Sequence, residues 1–130
     1  MTIATSSFHS KLVRACLEMV VLTKIFHWQT FRYARHTASD TFYTDLNEKV
    51  DSLIEQCMGA DGRFDLSRTQ TIRVANMTMP KYLRKLHAFQ QTLRSMESEG
   101  FKTKKYQGVR NTRDDLLGII DQYMYRLTLV

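Results

Sequence analysis

Apolar residues return along this chain at the spacing of an α-helix, with short polar breaks between the runs. Phe8, Leu12, Ala15, Met19, Leu22 and Phe26 follow one another at intervals of three and four. Val13, Cys16, Val20 and Trp28 widen that surface, as expected of a helix covered on two sides. The pattern predicts a first helix that starts at a cap among Thr5, Ser6 and Ser7 and runs to about Thr30. Residues 31–35 read as a short connection, Thr37 as the cap of a second helix and Gly59 as its stop. Residues 67–78 have no clear period and are predicted to form a crossover with one short helix. Pro80 suits the first turn of a third helix, with Tyr82, Leu83, Leu86, Phe89, Leu93 and Met96 inside and Gly100 at its end. His87 falls near that apolar face and reads as a core or boundary histidine. After a loop over residues 101–113, Asn111 or Thr112 can cap a last helix, with Asp115 completing an approximate capping box. Leu116, Leu117, Ile120, Tyr123, Met124 and Leu127 give it a buried side. The fold class is all-α: one domain over residues 1–130, four helices, and one long crossover between helices 2 and 3.

The second helix carries a polar stripe as well as an apolar one. With His36 at zero and about 100° per residue, Asp40 falls near 40°, Asp51 near 60° and Glu55 near 100°. Phe42, Leu46, Val50, Leu53 and Cys57 fall at roughly 240° to 320°, a separate face suited to the core. His27 sits in the last turn of the first helix, where a cation also suits the helix dipole. Imidazole and carboxylate together suit Fe(II), Mn(II) or Zn(II). Asp40 and Asp51 lie roughly 16 Å apart along the axis, too far to share one ion with ligand bonds near 2 Å. A second copy packed antiparallel would set His36 and Asp40 opposite the partner's Asp51 and Glu55, giving two equivalent sites. The stripe therefore predicts a homodimer, or a larger assembly built from it.

His27-Trp28, then His36 with Asp40, then Asp51 with Glu55, resembles the ferroxidase signature of the Dps-type mini-ferritins, in the ferritin-like superfamily. The resemblance covers residues 24–59, and beyond them only the helix pattern agrees. It implies a ferritin-like four-helix bundle in which the His-Trp pair ends the first helix and Trp28 stands beside the ligands. It also implies iron held between paired subunits by His27, His36, Asp40, Asp51 and Glu55. The activity it implies is oxidation of Fe(II), for iron storage or protection from oxidants. Compact ferritin-like proteins also occur among phage and large-virus proteins, so a viral member is one form the resemblance takes. The chain departs from the family in a short His27–His36 connection without its usual glycine, and in having no long basic tail.

Composition adds the remaining constraints. Hydrophobic content of 43% and charged content of 25% are globular values, and one proline among 130 residues leaves long helices uninterrupted. Cys16 and Cys57 sit in apolar helical contexts and read as buried thiols. The first residues show no secretory pattern and no apolar run reaches the length of a membrane span, so a cytoplasmic setting is the expectation (host cytoplasm or virion for a viral member). The net charge of +6 is compatible with a polyanionic partner. Lys102, Lys104, Lys105, Arg110 and Arg113 cluster around Tyr106, and with Arg63, Arg68 and Arg73 they are the candidate contacts for weak, sequence-independent DNA binding. No phosphate-binding glycine loop, nucleophile elbow or Cys-x-x-Cys pair is present. Three readings stand at this point: a ferroxidase, a nucleic-acid-binding bundle, and a structural or interaction bundle without metal chemistry.

Overall fold

Four α-helices carry the chain in the computed structural model, which describes residues 3, 4 and 6–129. They are α1 (Ser7–Gln29), α2 (Tyr33–Asp61), α3 (Met79–Arg94) and α4 (Gln107–Arg126). A single 3-10 turn, Lys104–Tyr106, leads into α4. Two two-residue strands, β1 (Ile3–Ala4) and β2 (Arg63–Phe64), pair in parallel, with Ile3 opposite Arg63 and Ala4 opposite Phe64. The fold is all-α, and among the described residues no helix is long and apolar enough to cross a membrane.

The apolar positions read from the sequence form the core. Leu12, Cys16, Leu46, Leu53, Cys57, Tyr82, Leu86, Leu93, Met96, Leu116 and Ile120 are all fully buried. Phe26 stacks on Tyr82 with ring centroids 4.3 Å apart, and Phe42 stacks on Tyr123 at 4.0 Å. The hydroxyls of Tyr82 and Thr23 meet at 2.8 Å, so neither is buried unpaired. Both cysteines are free and buried.

Helix α1 packs against α2 and α3, and α4 packs against the same two. The crossover, residues 62–78, explains this arrangement. Near its start the Ser10 hydroxyl donates to the Asp65 carbonyl at 3.3 Å, and Arg14 Nε donates to the Thr71 carbonyl at 3.0 Å. Near its end Gln29 Nε2 donates to Asn76 Oδ1 at 2.9 Å, and the Met77 amide donates to Gln29 Oε1 at 2.8 Å. The segment thus runs the length of α1 and delivers α3 to the end of the bundle where α2 began. Helices α2 and α3 run the same way, and every packed pair of neighbours runs antiparallel.

Several helix ends differ from the expected ones. Helix α2 starts at Tyr33, four residues before Thr37, and the Thr37 hydroxyl donates back to the Tyr33 and Ala34 carbonyls instead of capping. It continues through Gly59 to Asp61, and Gly62 ends it with φ 89°. Helix α4 starts at Gln107, so Asn111 and Thr112 lie inside it. Thr112 donates its hydroxyl hydrogen to Gln56 Oε1 at 2.6 Å, a tertiary partner no local pattern reveals. The crossover contains no helix, and His87 is exposed on α3 rather than at the core boundary. The Thr5 cap candidate lies outside the described residues, and Ser6 occupies the N-cap without a side-chain capping bond.

Candidate metal centre

The α1–α2 corner brings the two histidines together. A connection of only residues 30–32 closes the turn, and the rings of His27 and His36 stack with centroids 3.9 Å apart and planes 19° from parallel. His27 Nδ1 lies 3.0 Å from the His36 carbonyl, and His36 Nδ1 lies 3.1 Å from the His27 carbonyl. A carbonyl only accepts, so both Nδ1 atoms carry a hydrogen, and the lone pair of the neutral ring form lies at Nε2. The Ser39 hydroxyl, buried beneath, accepts a further contact from His27 Nδ1 at 2.9 Å and donates to the His36 carbonyl at 2.9 Å. Ring orientation set through Nδ1, with Nε2 left open, is the usual support of a metal-binding histidine.

The carboxylates are placed differently. Asp40 lies on α2 one turn beyond His36, and Asp51 and Glu55 lie further along the same helix; all three are exposed. Among the described residues, no group of three or more His, Cys, Asp and Glu side chains comes together to hold an ion. One chain thus supplies a histidine pair and a separate carboxylate pair, not a closed site. Trp28 is 71% exposed and does not join the core that its apolar context suggested.

The basic loop is largely taken up by its own structure. Arg113 is buried, with its guanidinium donating to Glu97 and Asp114, both at 2.9 Å. Arg110 donates to the carbonyls of Phe101 and Thr103, both at 2.8 Å, and so clips the turn that leads into α4. Lys105 pairs with Asp61 at 3.4 Å. Of the expected nucleic-acid contacts, Lys102, Lys104, Lys105, Arg63, Arg68 and Arg73 stand exposed, whereas Arg113 is buried. The physical reason is that a buried cation must be paired, and Glu97 and Asp114 supply the pairing.

One cluster has no counterpart in the sequence reading. Asp61 accepts from the Tyr106 hydroxyl at 2.5 Å and from His9 Nε2 at 3.0 Å, beside Lys105. The His9 ring is buried flat against Phe64, centroids 3.9 Å apart. Burial alone would raise the Asp61 pKa; the Tyr106, His9 and Lys105 contacts outweigh it and hold the carboxyl below its ordinary value. The residues come from three separate stretches of chain, around positions 9, 61–64 and 105–106, so spacing gave no signal of them.

The four packed helices and the paired-histidine corner define an all-α bundle whose polar chemistry lies on an outer helix face. The chain belongs to the family of unknown function DUF5856, whose pattern matches residues 27–127. That match opens on His27 and runs through α2, α3 and α4. No curated protein and no solved structure matches the chain.

Proposed function

We propose that this chain is a ferritin-like bundle of the Dps mini-ferritin kind, and that paired copies bind and oxidise Fe(II). The observation that carries the reading is the stacked His27–His36 pair, with both Nδ1 atoms held by backbone carbonyls and both Nε2 atoms open. The long crossover between two parallel helices supports the ferritin-like topology. The separation of Asp40 from Asp51, roughly 16 Å by helical rise, supports a site completed by a second copy.

In this reading His27 and His36 would hold the substrate Fe(II) from one side, with Asp40, one turn along α2, drawn in as the ion binds, and Asp51 and Glu55 of the partner subunit would hold it from the other. Manganese or zinc suits the same donors. Oxidation of two Fe(II) by one hydrogen peroxide takes up two protons and releases two waters. The carboxylates offset the positive charge that rises as Fe(II) becomes Fe(III), and exposure of Asp51 and Glu55 leaves room for the oxidant. The Nδ1 contacts to backbone carbonyls fix the two imidazole rings in orientation and leave Nε2 as the atom that faces the ion.

The test is the rate of Fe(III) formation under peroxide, read by absorbance against buffer. The wild-type chain should exceed buffer, and Asp51→Ala or Glu55→Ala should abolish the gain. His36→Ala should do the same, because it removes a ligand and the stack that positions His27. Equal rates in wild type and both carboxylate variants would end the assignment.

A further inference from the structure

The α1–α2 corner carries a second surface, distinct from the histidine pair. Between Glu18 and Asp40 the sequence holds Lys24, Arg32 and Arg35 and no acidic residue. Three rings of this stretch stand in solvent: Trp28 at 71%, Phe31 fully exposed and Tyr33 at 80%. Trp28, Phe31, Arg32 and Arg35 line an open cavity of about 730 Å³ against Met77 and Met79. Single exposed apolar residues are ordinary, but rings gathered around one cavity mark a place where something binds.

Charge narrows the choice of occupant. Among the described residues neither Arg32 nor Arg35 has an acidic partner, and Arg35 Nε is shielded from water with no acceptor. The arginines of the opposite end are already committed, Arg113 to Glu97 and Asp114 and Arg110 to two carbonyls. A second copy with its two-fold axis through this cavity would set the arginines near their own equivalents, so the cavity itself, unlike the outer face of α2, is a poor self-contact. Rings interleaved with guanidinium groups suit a chain of flat bases joined by phosphates. A duplex hides its base faces, so the complementary form is the single strand.

We propose that this corner binds single-stranded nucleic acid, with Trp28 and Phe31 as stacking platforms and Arg32 and Arg35 on the phosphates. Phe31, Arg32 and Arg35 are not among the proposed iron ligands, so this site stands or falls separately from iron oxidation. Trp28 is the sole tryptophan and reports directly on the surface. Titrating the full chain with a deoxythymidine dodecamer should quench Trp28 emission, and the matching duplex should not. The logarithm of affinity should fall with the logarithm of salt at a slope of about −0.7 per phosphate, hence about −1.4 for two arginines. Phe31→Ala should weaken binding by about fivefold to 150-fold, the range for one lost base stack. Arg32→Gln, at an exposed position, should lower the salt slope by about half while the thermal midpoint holds. Absence of quenching by the dodecamer would overturn the proposal. So would binding lost in Lys102→Gln with Lys104→Gln but retained in Arg32→Gln. Quenching by phosphatidylserine vesicles without quenching by the dodecamer would assign the corner to a membrane surface instead. Self-association, with no added strand, that is lost in Phe31→Ala and kept in Glu55→Ala would make the corner a self-contact instead.

Discussion

At the scale of single residues, Asp61 concentrates much of the polar organisation at one end of the bundle. Its carboxylate ties α1 through His9 to the 3-10 turn through Tyr106 and Lys105. The folded-state pKa lies below the unfolded value near 3.9, so the stabilisation is complete above about pH 4 and is lost as pH falls through the folded value. Asp61→Asn should cost about 1.5–3 kcal/mol at neutral pH, the range for a lost hydrogen bond to a charged group. Urea titrations at several pH values should show the gap between wild type and variant closing as acid is added. The two thiols allow a separate check. Burial pushes both Cys16 and Cys57 up to about 12; proximity to Cys57 adds to the first and Asp61 to the second. The thiolate is the reactive form, so an aromatic disulfide reagent at neutral pH should titrate neither cysteine until the chain is unfolded. Fast labelling of the native chain would show that the core opens around them.

At the scale of elements, the helices were legible and their ends were not. Period three-and-four placed Phe42, Leu46, Val50, Leu53 and Cys57 on the buried face of α2, where they lie. Gly59 looked like the stop because glycine is a poor helix former, yet the helix continues and Gly62 takes the positive φ. Opposite signs are expected for the two positions. Gly59→Ala meets nothing within 4 Å and should stabilise by about 0.5–1 kcal/mol, the helix-interior difference. Gly62→Ala, forced to φ 89° and ψ 170°, should destabilise by about 1–3 kcal/mol. Thermal melts of the two variants check this, and destabilisation by Gly59→Ala would place the end of α2 earlier. The start of α4 was also misplaced. Asn111 and Thr112 lie inside the helix, and Thr112, where a cap was expected, reaches across to Gln56 instead.

At the scale of the whole molecule, the crossover sets which helices are neighbours. Its bonds to α1 at Ser10, Arg14 and Gln29 hold α3 parallel to α2, and that leaves the polar stripe of α2 facing outward. An outward stripe holding a carboxylate pair at one end and histidines at the other calls for a second copy in the proposed function. Light scattering at micromolar concentration should therefore give the mass of a dimer or a multiple of it. A monomer, both with and without Fe(II), would remove the intersubunit site. The histidine pair within one chain would then be left with Asp40 alone.

The sequence by itself determined the number of helices, the residues that face the core, the free buried cysteines and the long link between α2 and α3. Each of these follows from hydrophobic periodicity or composition, which act over a few neighbouring residues. It also put His27, His36, Asp40, Asp51 and Glu55 in view as one set of donors. Only the tertiary structure decided which of them meet: the histidines stack across the corner, and the carboxylates stay apart on an exposed face. It alone showed Arg113 buried rather than presented to a polyanion, and Asp61 joined to His9 and Tyr106. These outcomes depend on desolvation and on partners roughly ten to fifty residues away, such as His9 and Asp61, 52 positions apart. A charged residue in a sequence carries no mark of whether its partner will be water or another side chain, and the packing of the helices makes that choice.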